Sequence, residues 1–192
     1  MQGALGQQDL LPSIEKEEYG LYWLPDSHEE YADFWFVSAE ALLELKECED
    51  FGPFQKIQRE RPDMFVRRRI LLSDICRAWP FRLWDILTIS HRWIEAGAPD
   101  KEGVQFKAIQ EHLEANKSIK WVWYDYWCMP QDEPKGTRTG EETEEFKKML
   151  KAANLLYLGT YVLILLDLSY TSRFWTQFGT AVRPPPAHPT LT

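Results

Sequence analysis

The sequence predicts an α/β protein built on a parallel sheet. Three apolar segments, at about residues 85–90, 119–128 and 160–167, each end in polar residues and are separated by stretches of helical periodicity. Continuous apolar runs of this kind are typical of parallel strands that are buried on both faces. Because such strands point the same way, the polar residues at their carboxyl ends are expected to meet at one edge. That edge is the predicted ligand cleft.

The first connecting segment predicts a helix over about 103–116, with Asp100 as its N-terminal cap. The apolar residues recur at helical spacing and are expected to share one face: Phe106, Ile109 and Leu113. The pattern therefore predicts an amphipathic helix between the first two strands.

The second connecting segment predicts a helix over about 141–157. Thr139 and Glu142 have the spacing of a capping box, and Gly159 is placed to end the helix. Five residues are expected to form its apolar face: Phe146, Met149, Leu150, Ala153 and Tyr157. This helix completes a strand–helix–strand–helix–strand order.

The N-terminal part, residues 1–83, is predicted to be an aromatic-rich extension of mixed or helical structure. Ser38 can cap a short helix over about 39–48, and a weaker helical pattern covers Phe65–Trp79. Residues 19–37 are rich in aromatic side chains but show no regular period, so no element is predicted there.

The composition indicates a folded protein of a reducing compartment. The chain has 192 residues, of which 44% are hydrophobic and nine are Trp, and this argues against a disordered chain. The net charge of -8 argues against a general nucleic-acid binder, and the short basic run Arg67–Arg69 is interpreted as a solvated face. Three Cys residues show no disulfide framework or paired zinc motif, and no signal peptide or membrane span is predicted. We therefore expect a cytoplasmic protein that binds neither nucleic acid nor membrane.

Polar candidates follow the first predicted strand: Ser90, His91, Arg92 and Trp93. In a binding interpretation, Arg92 holds a phosphate or carboxylate and His91 donates a hydrogen bond to a ribose or base. In the alternative, Arg92 pairs with a nearby carboxylate such as Asp125, and His91 is an ordinary loop residue. Trp93 can stack on a flat ring, although packing in the core is the commoner use of a large aromatic side chain.

Asp125 is the candidate carboxylate of the second predicted strand. Strand alternation places it on one face with Trp121, Trp123 and Trp127, at the carboxyl end of an aromatic surface. The alternative is that Asp125 only caps a loop. A Cys128–His91 nucleophile lacks an orienting third residue, and a zinc site from His91, Asp125 and Cys128 lacks paired ligand spacing, so no metal is predicted.

Three blocks of the sequence resemble one superfamily. Ile89-Ser-His-Arg-Trp93 is similar to the first strand and following loop of Toll/interleukin-1 receptor (TIR) domains. Trp123-Tyr-Asp-Tyr-Trp-Cys-Met-Pro-Gln-Asp132 resembles the Trp-x-Asp-x-x-Cys-x-x-Gln-Asp signature of fungal heterokaryon-incompatibility (HET) domains. Ser172-Arg-Phe-Trp-Thr-Gln177 resembles the segment after the third strand in both families. The order and spacing of the blocks agree over about residues 84–179.

The resemblance implies a flavodoxin-like, TIR-like three-layer α/β/α fold over residues 84–179. The composition predicts that a Pro-rich disordered tail follows over 180–192. The Arg183–Pro189 run also fits a polyproline-recognition pattern, and a disordered tail is preferred. The family fold continues for two more strands, so the domain is expected to be incomplete at its C-terminus, through truncation, alternative splicing or a misread end. Such a domain would leave an open sheet edge.

The resemblance also implies a function. TIR domains assemble through helices and the loop after the second strand, here Pro130–Gly140, and their partners are copies of themselves or other TIR/HET-like domains. Many cleave NAD at the nicotinamide–ribose bond with a glutamate, and Gly179 occupies that position here. Because Gly179 offers no carboxylate, we expect a signalling or immunity-type module that acts by association, without turnover.

Two alternatives remain open. The first is an NAD glycohydrolase or related nucleotide-processing enzyme, with Asp125 or Asp167 in place of the missing glutamate. Its predicted cofactor-binding residues, with NAD as the possible cofactor, are Ser90, His91, Arg92, Trp93, Asp125 and Gln131. The second alternative is a nonfunctional fragment of a gene model.

Overall fold

The structure is a computed structural model that describes residues 22–23, 30–46, 52–76, 83–95, 97–132 and 134–166. These residues form a mixed α/β fold in which helices accompany an open sheet. The strands are β1 (Tyr22–Trp23), β2 (Glu30–Ser38), β3 (Phe65–Leu71), β4 (Leu83–Ser90), β5 (Trp121–Trp123) and β6 (Thr160–Ile164). The helices are α1 (Ala39–Glu44), α2 (Phe54–Glu60), α3 (Leu72–Cys76), α4 (Val104–Ala115), α5 (Asp125–Cys128) and α6 (Gly140–Gly159), with a 3-10 helix at Pro62–Met64.

All six described strands belong to one sheet, and the three neighbouring strands β5, β4 and β6 at one side of it are parallel. Strand β4 pairs in parallel with β5 on one side and with β6 on the other, so that Thr88 lies opposite both Trp123 and Val162. Strand β2 is antiparallel to β1, β3 and β5. The predicted parallel pairing of the three later strands is confirmed, and the sheet continues beyond them into antiparallel strands.

Residues 30–76, assigned from the sequence to the extension, supply strands to this same sheet. Val37 lies opposite Val122 and Ser38 opposite Trp121, so β2 pairs directly with β5. Helix α1 follows at once, and its N-cap Ser38 accepts a hydrogen bond from the Ala41 amide at 3.3 Å. The helix predicted after Ser38 is confirmed, and it ends at Glu44.

The helical pattern expected over Phe65–Trp79 is wrong for its first half. Residues Phe65–Leu71 form β3, which pairs with β2 along seven residues from Tyr31 to Val37. Only Leu72–Cys76 are helical, and the remainder of the pattern lies outside the described residues. A short apolar run is compatible with both the helical and the strand periodicity, and the pairing with β2 makes this segment a strand.

The basic run on β3 is matched by acidic side chains. Arg68 Nη1 lies 2.7 Å from Asp85 Oδ2, and the flanking arginines pair in the same manner: Arg67 with Glu145 at 3.6 Å and Arg69 with Asp33 at 3.1 Å. Each arginine is thus already engaged by a carboxylate of another element, so the run does not form an unopposed basic surface.

Strand β5 is shorter than predicted, and this changes the setting of Asp125. The strand ends at Trp123, and the backbone then turns into α5, where the amides of Trp127 and Cys128 both donate to the Tyr124 carbonyl at 2.9 Å. The expected strand alternation through Asp125 and Trp127 is therefore wrong. Short aromatic runs are compatible with either a strand or a helical turn.

Helix α4 forms where the sequence predicts it, with Phe106, Ile109 and Leu113 buried. Gly103 is its N-cap residue in a left-handed conformation (φ 68°), which glycine adopts without steric cost. Asp100 nevertheless satisfies the helix start, because its carboxylate accepts from the amide of Gln105 at 3.0 Å and from that of Phe106 at 2.6 Å. The predicted capping role of Asp100 is confirmed by these bonds.

Helix α6 also begins as predicted. Thr139 Oγ1 accepts from the Glu142 amide at 3.1 Å, and Glu142 Oε2 accepts from the Thr139 amide at 2.8 Å, which completes the capping box. Met149 and Ala153 are buried, whereas Leu150 and Tyr157 are 57% and 41% exposed. Two of the five residues assigned to the apolar face of α6 therefore lie at the surface.

The core is densest around the central strands. Ile86, Leu87, Thr88 and Ile89 of β4 are at most 1% exposed. The one polar side chain among them, Thr88, is satisfied because its hydroxyl lies 2.7 Å from that of Thr160. Within the described ranges, no helix has the length and apolar character needed to cross a membrane.

Candidate functional site

A pocket of about 410 Å³ lies beside the carboxyl ends of β4 and β5. Its walls come from the segment after β4, the end of β5, the loop that follows α5, and helix α6. The lining residues are Trp93, Gly97, Trp123, Asp125, Met129, Gln131, Asp132, Arg138, Phe146, Leu150, Ala153 and Tyr157. The position agrees with the predicted cleft, and the exposed Leu150 and Tyr157 of α6 form part of its wall.

Asp125 is bound by two side chains from the segment after β4. Its Oδ1 lies 2.9 Å from His91 Nε2, and its Oδ2 accepts a hydrogen bond from Trp93 Nε1 at 2.9 Å. Trp93 Nε1 also lies 3.2 Å from Oδ1. The structure thus brings together three of the predicted site residues through side-chain bonds.

His91 is buried against an aromatic ring. Its side chain is 2% exposed, and its ring stacks on Tyr124 with centroids 4.0 Å apart and an interplanar angle of 18°. Nδ1 of His91 is buried and has no hydrogen-bond partner among the described residues.

Two residues that the sequence did not single out, Tyr124 and Gln105, support the segments that carry His91 and Asp125. Tyr124 donates its hydroxyl to Gln105 Oε1 at 2.9 Å, and Gln105 Nε2 donates to the carbonyls of Arg92 at 3.0 Å and Pro99 at 3.3 Å. Gln105 therefore connects α4 to both segments that carry His91 and Asp125. The sequence gives no sign of this bridging role, because Gln105 looks like any other polar residue on an amphipathic helix.

Gln131 braces the loop after α5. Its side-chain Nε2 donates to the carbonyls of Asp125 at 3.0 Å and Met129 at 2.7 Å. Its backbone amide and carbonyl are both bonded to the side chain of Gln55, at 3.1 and 2.7 Å. Gln131 lines the pocket, and the bonds of its amide nitrogen hold the local backbone.

The next loop is held by Asp132. Its Oδ1 accepts from the amides of Gly136 at 2.8 Å and Arg138 at 3.1 Å. The Arg138 amide, followed by that of Gly136, holds the pKa of Asp132 below its ordinary value despite the opposing effect of desolvation. The guanidinium of Arg138 then lies 3.9 Å over the ring of Phe146, at the pocket wall.

Two further donors on the wall of the pocket are buried without an acceptor among the described residues. They are Nε1 of Trp123, a residue that is 3% exposed, and Nε of Arg138. A buried donor without an acceptor costs about 1–3 kcal/mol. The sequence predicts that Trp123 belongs to an aromatic surface, whereas no sequence pattern singles out Arg138.

Cys128 is unsuited to nucleophilic chemistry. It is fully buried, and its Sγ donates to the Val122 carbonyl at 3.5 Å. Burial strongly raises the pKa of the Cys128 thiol, so the thiolate form is disfavoured at neutral pH. No group of three His, Cys, Asp or Glu side chains suited to a metal ion occurs in the part of the chain that the structure describes.

Ser90 and Arg92 are placed at the same edge. The Ser90 carbonyl accepts from the Leu165 amide at 2.8 Å and so extends the β4–β6 pairing. The binding roles predicted for the side chains of Ser90 and Arg92 stay predictions. The remaining candidates, Asp167, Gly179 and the Ser172–Gln177 block, lie outside the described residues.

Comparison of the chain with protein-family models, curated proteins and solved structures found no match.

Proposed function

We propose that the chain is a TIR/HET-like module that acts in signalling through protein association, without turnover in this form. The order β5–β4–β6 supports the proposal, because the second, first and third parallel strands along the chain have this order in flavodoxin-like folds. Right-handed crossovers would then place α4 and α6 on opposite faces of the sheet, as in a three-layer arrangement.

The observation that carries association is an exposed apolar surface along β6, here named the β6 strip. The ring of Trp84 lies against that of Tyr161 with centroids 5.7 Å apart, and both residues are more than 40% exposed. The β6 strip comprises Trp84, Leu158, Tyr161, Val162, Ile164 and Leu166, each at least 37% exposed. Exposed apolar residues along a strand commonly mark interaction sites.

The strip also suits a copy of the same chain. Residues 160–166 carry no charge, whereas the whole chain has a net charge of -8 that opposes close approach of two copies elsewhere. A strand without charged or Pro residues at the edge of the described sheet is a template for further pairing. We therefore expect self-association through β6.

Light scattering of the purified chain at increasing concentration tests the proposal. We expect a mass above the 22.7 kDa of one chain, and we expect Ile164→Lys to return it to that value because the lysine places a charge in the β6 strip. Gln58→Lys, an equal change of charge on the exposed face of α2, is the control. A mass of one chain at every concentration would contradict association.

The helix α6 surface predicted from the sequence can be tested separately. Glu144 is exposed and paired only locally, with Lys147 at 2.8 Å, among the bonds described for it. Glu145 instead accepts from Trp35 Nε1 at 3.0 Å and lies 3.6 Å from Arg67, so its charge reversal would disturb the fold. Glu144→Lys is therefore the informative variant, and an unchanged mass would exclude this part of α6 from the contact.

A second candidate function, nucleotide processing, is favoured by Asp125 in the pocket. Cleavage of the nicotinamide–ribose bond passes through an oxocarbenium-like state that a nearby carboxylate stabilises. Asp125 is the carboxylate joined to His91 and Trp93, and its side chain retains 35% exposure. NAD consumption by the chain that is lost in Asp125→Asn would support an enzyme. Absence of consumption both in the chain and in Gly179→Glu would leave association as the function.

A further inference from the structure

The pocket beside β4 and β5 contains a carboxylate that is fixed in place and is still accessible. Asp125 is bonded to His91 Nε2 and to Trp93 Nε1, each at 2.9 Å, yet 35% of its side chain remains exposed. A carboxylate offers about four acceptor positions, so these bonds do not exhaust it. Asp125 therefore presents an oriented negative charge to the pocket.

The other charged residues of the wall are engaged with one another. The Arg138 amide contributes most to holding the pKa of Asp132 below its ordinary value, and the charge of Arg138 acts in the same direction. The Arg138 guanidinium also lies 3.9 Å over the ring of Phe146. Among the described lining residues, Asp125 is thus the charged side chain that no opposite charge of the wall matches, and the net charge of -8 further favours a cation as ligand.

Two aromatic rings of the pocket are accessible and are held in position by other aromatic rings. Trp93 is half-buried, and its ring meets that of Tyr126 at 90° with centroids 5.5 Å apart. Tyr157 is 41% exposed, and its ring meets that of Trp123 at 82° with centroids 6.2 Å apart. The faces of aromatic rings attract cations, most strongly where water is excluded. Together with Asp125, these rings suit a positively charged ligand.

The wall offers few acceptors to a cation that carries N–H groups. The carbonyls of Asp125 and Met129 already accept from the Gln131 side chain. The Gly97 carbonyl accepts from the Tyr126 hydroxyl at 2.7 Å. A primary ammonium brings three donors that lose water on entering the pocket, and each donor then needs an acceptor. A fully methylated ammonium brings the positive charge without that requirement, and its methyl groups pack against aromatic and aliphatic walls.

We propose that this pocket binds an organic cation that carries a fully methylated ammonium group. The ammonium lies against the rings of Trp93 and Tyr157, within Coulombic reach of the Asp125 carboxylate. Free molecules of the choline type and trimethylated lysine side chains share this group, and the volume of about 410 Å³ suits either. The proposal goes beyond association and does not require NAD cleavage, since it concerns binding alone.

The indole N–H signal of Trp93 in a proton–nitrogen correlation spectrum of the full-length chain provides the test. Trp93→Phe identifies this signal by its loss. Choline and trimethyllysine amide are the two methylated probes, one for a free molecule and one for a lysine side chain, and both are titrated at constant ionic strength. We expect the Trp93 signal to move saturably with at least one probe, and the identity of that probe distinguishes the two sources.

Two control ligands separate charge from shape. The choline analogue in which carbon replaces nitrogen has the same shape without the charge. Ethanolamine has the charge without the methyl groups. We expect each control to bind at least about tenfold more weakly than the methylated probe, because one lacks the attraction to the aromatic rings and to Asp125 and the other lacks acceptors for its N–H groups.

Variants then assign the contacts. Asp125→Asn is expected to weaken binding of the probe about tenfold, because it removes the charge that attracts the ammonium. Tyr157→Leu keeps an apolar side chain but removes the ring, and we expect a loss of about fivefold. Asp63→Asn removes an exposed carboxylate that is paired with Arg61 and does not line the pocket, so it is expected to leave binding unchanged. Should Asp125→Asn unfold the chain, Tyr157→Leu at the exposed surface of α6 still decides the matter.

Four outcomes would overturn the proposal: no saturable shift of the Trp93 signal with either probe, the uncharged analogue binding as tightly as the methylated probe, ethanolamine doing so, or binding that Tyr157→Leu leaves unchanged. None of these outcomes depends on whether the chain associates or cleaves NAD, so failure here is separable from failure of the proposed function.

Discussion

Asp125 and Cys128 lie three residues apart in one short helix and differ in the chemistry open to them. Asp125 faces the pocket and is bonded to His91 and Trp93, whereas Cys128 is fully buried and bonded to the Val122 carbonyl. The sequence offered both as partners of His91. Burial separates them, because desolvation disfavours the thiolate of Cys128, whereas the side chain of Asp125 retains 35% exposure.

Cys128 is expected to resist alkylation in the folded chain at neutral pH. Its raised pKa keeps the thiol protonated, and its burial excludes the reagent. Treatment with iodoacetamide before and after denaturation, followed by peptide mass mapping, measures this. Modification of Cys128 in the native chain at the rate seen in denaturant would show that the helix α5 region is open.

At the scale of elements, the starts of the helices were predicted best. The capping box of Thr139 and Glu142 and the bonds of Asp100 involve residues within six positions of one another, so their effect is local. Element type was predicted less well where the pattern was short. Phe65–Leu71 form a strand and Asp125–Cys128 form a helix. In both segments the backbone hydrogen bonds, and not the spacing of the apolar side chains, decide the type of element.

Thr139→Ala is expected to lower the free energy of unfolding by about 1 kcal/mol, since it removes the acceptor for the Glu142 amide at the start of α6. Urea denaturation followed by circular dichroism measures the change. Glu142→Gln keeps a side chain able to complete the box and should cost less. No loss in Thr139→Ala would contradict the stabilising role of the capping box.

At the scale of the molecule, the two halves of the chain share one sheet. The contact between them is made by β2, which pairs with β5, and by side chains that cross a long sequence separation. Trp35 donates to Glu145, and Gln55 is bonded to the backbone of Gln131. Phe34 and Phe36 of β2 are fully buried, so residues 30–76 contribute to the same core as the later strands.

Residues 84–192 expressed alone are therefore expected not to fold stably. Loss of β2 exposes the edge of β5 and removes core side chains such as Phe34 and Phe36. Limited proteolysis and a thermal melt, compared with the full chain, measure this. Removal of residues 1–21 alone keeps every described strand and is the control. A cooperative melt of the 84–192 chain would show that the later strands form an independent domain.

The sequence by itself determined the features that depend on near neighbours. Apolar periodicity located α4, α6 and the three parallel strands, and the polar residues at the strand ends located the pocket. The tertiary structure alone decided how β2 and β3 pair, where β5 stops, and which buried polar atoms lack a partner among the described residues. Such features depend on contacts between residues that are far apart in the sequence. The hydrogen bond from Trp35 to Glu145, for example, joins residues 110 positions apart, and no local pattern encodes it. Burial likewise arises only when separate elements pack together, and burial is what leaves Trp123 Nε1 and Arg138 Nε without an acceptor in the part of the chain that the structure describes.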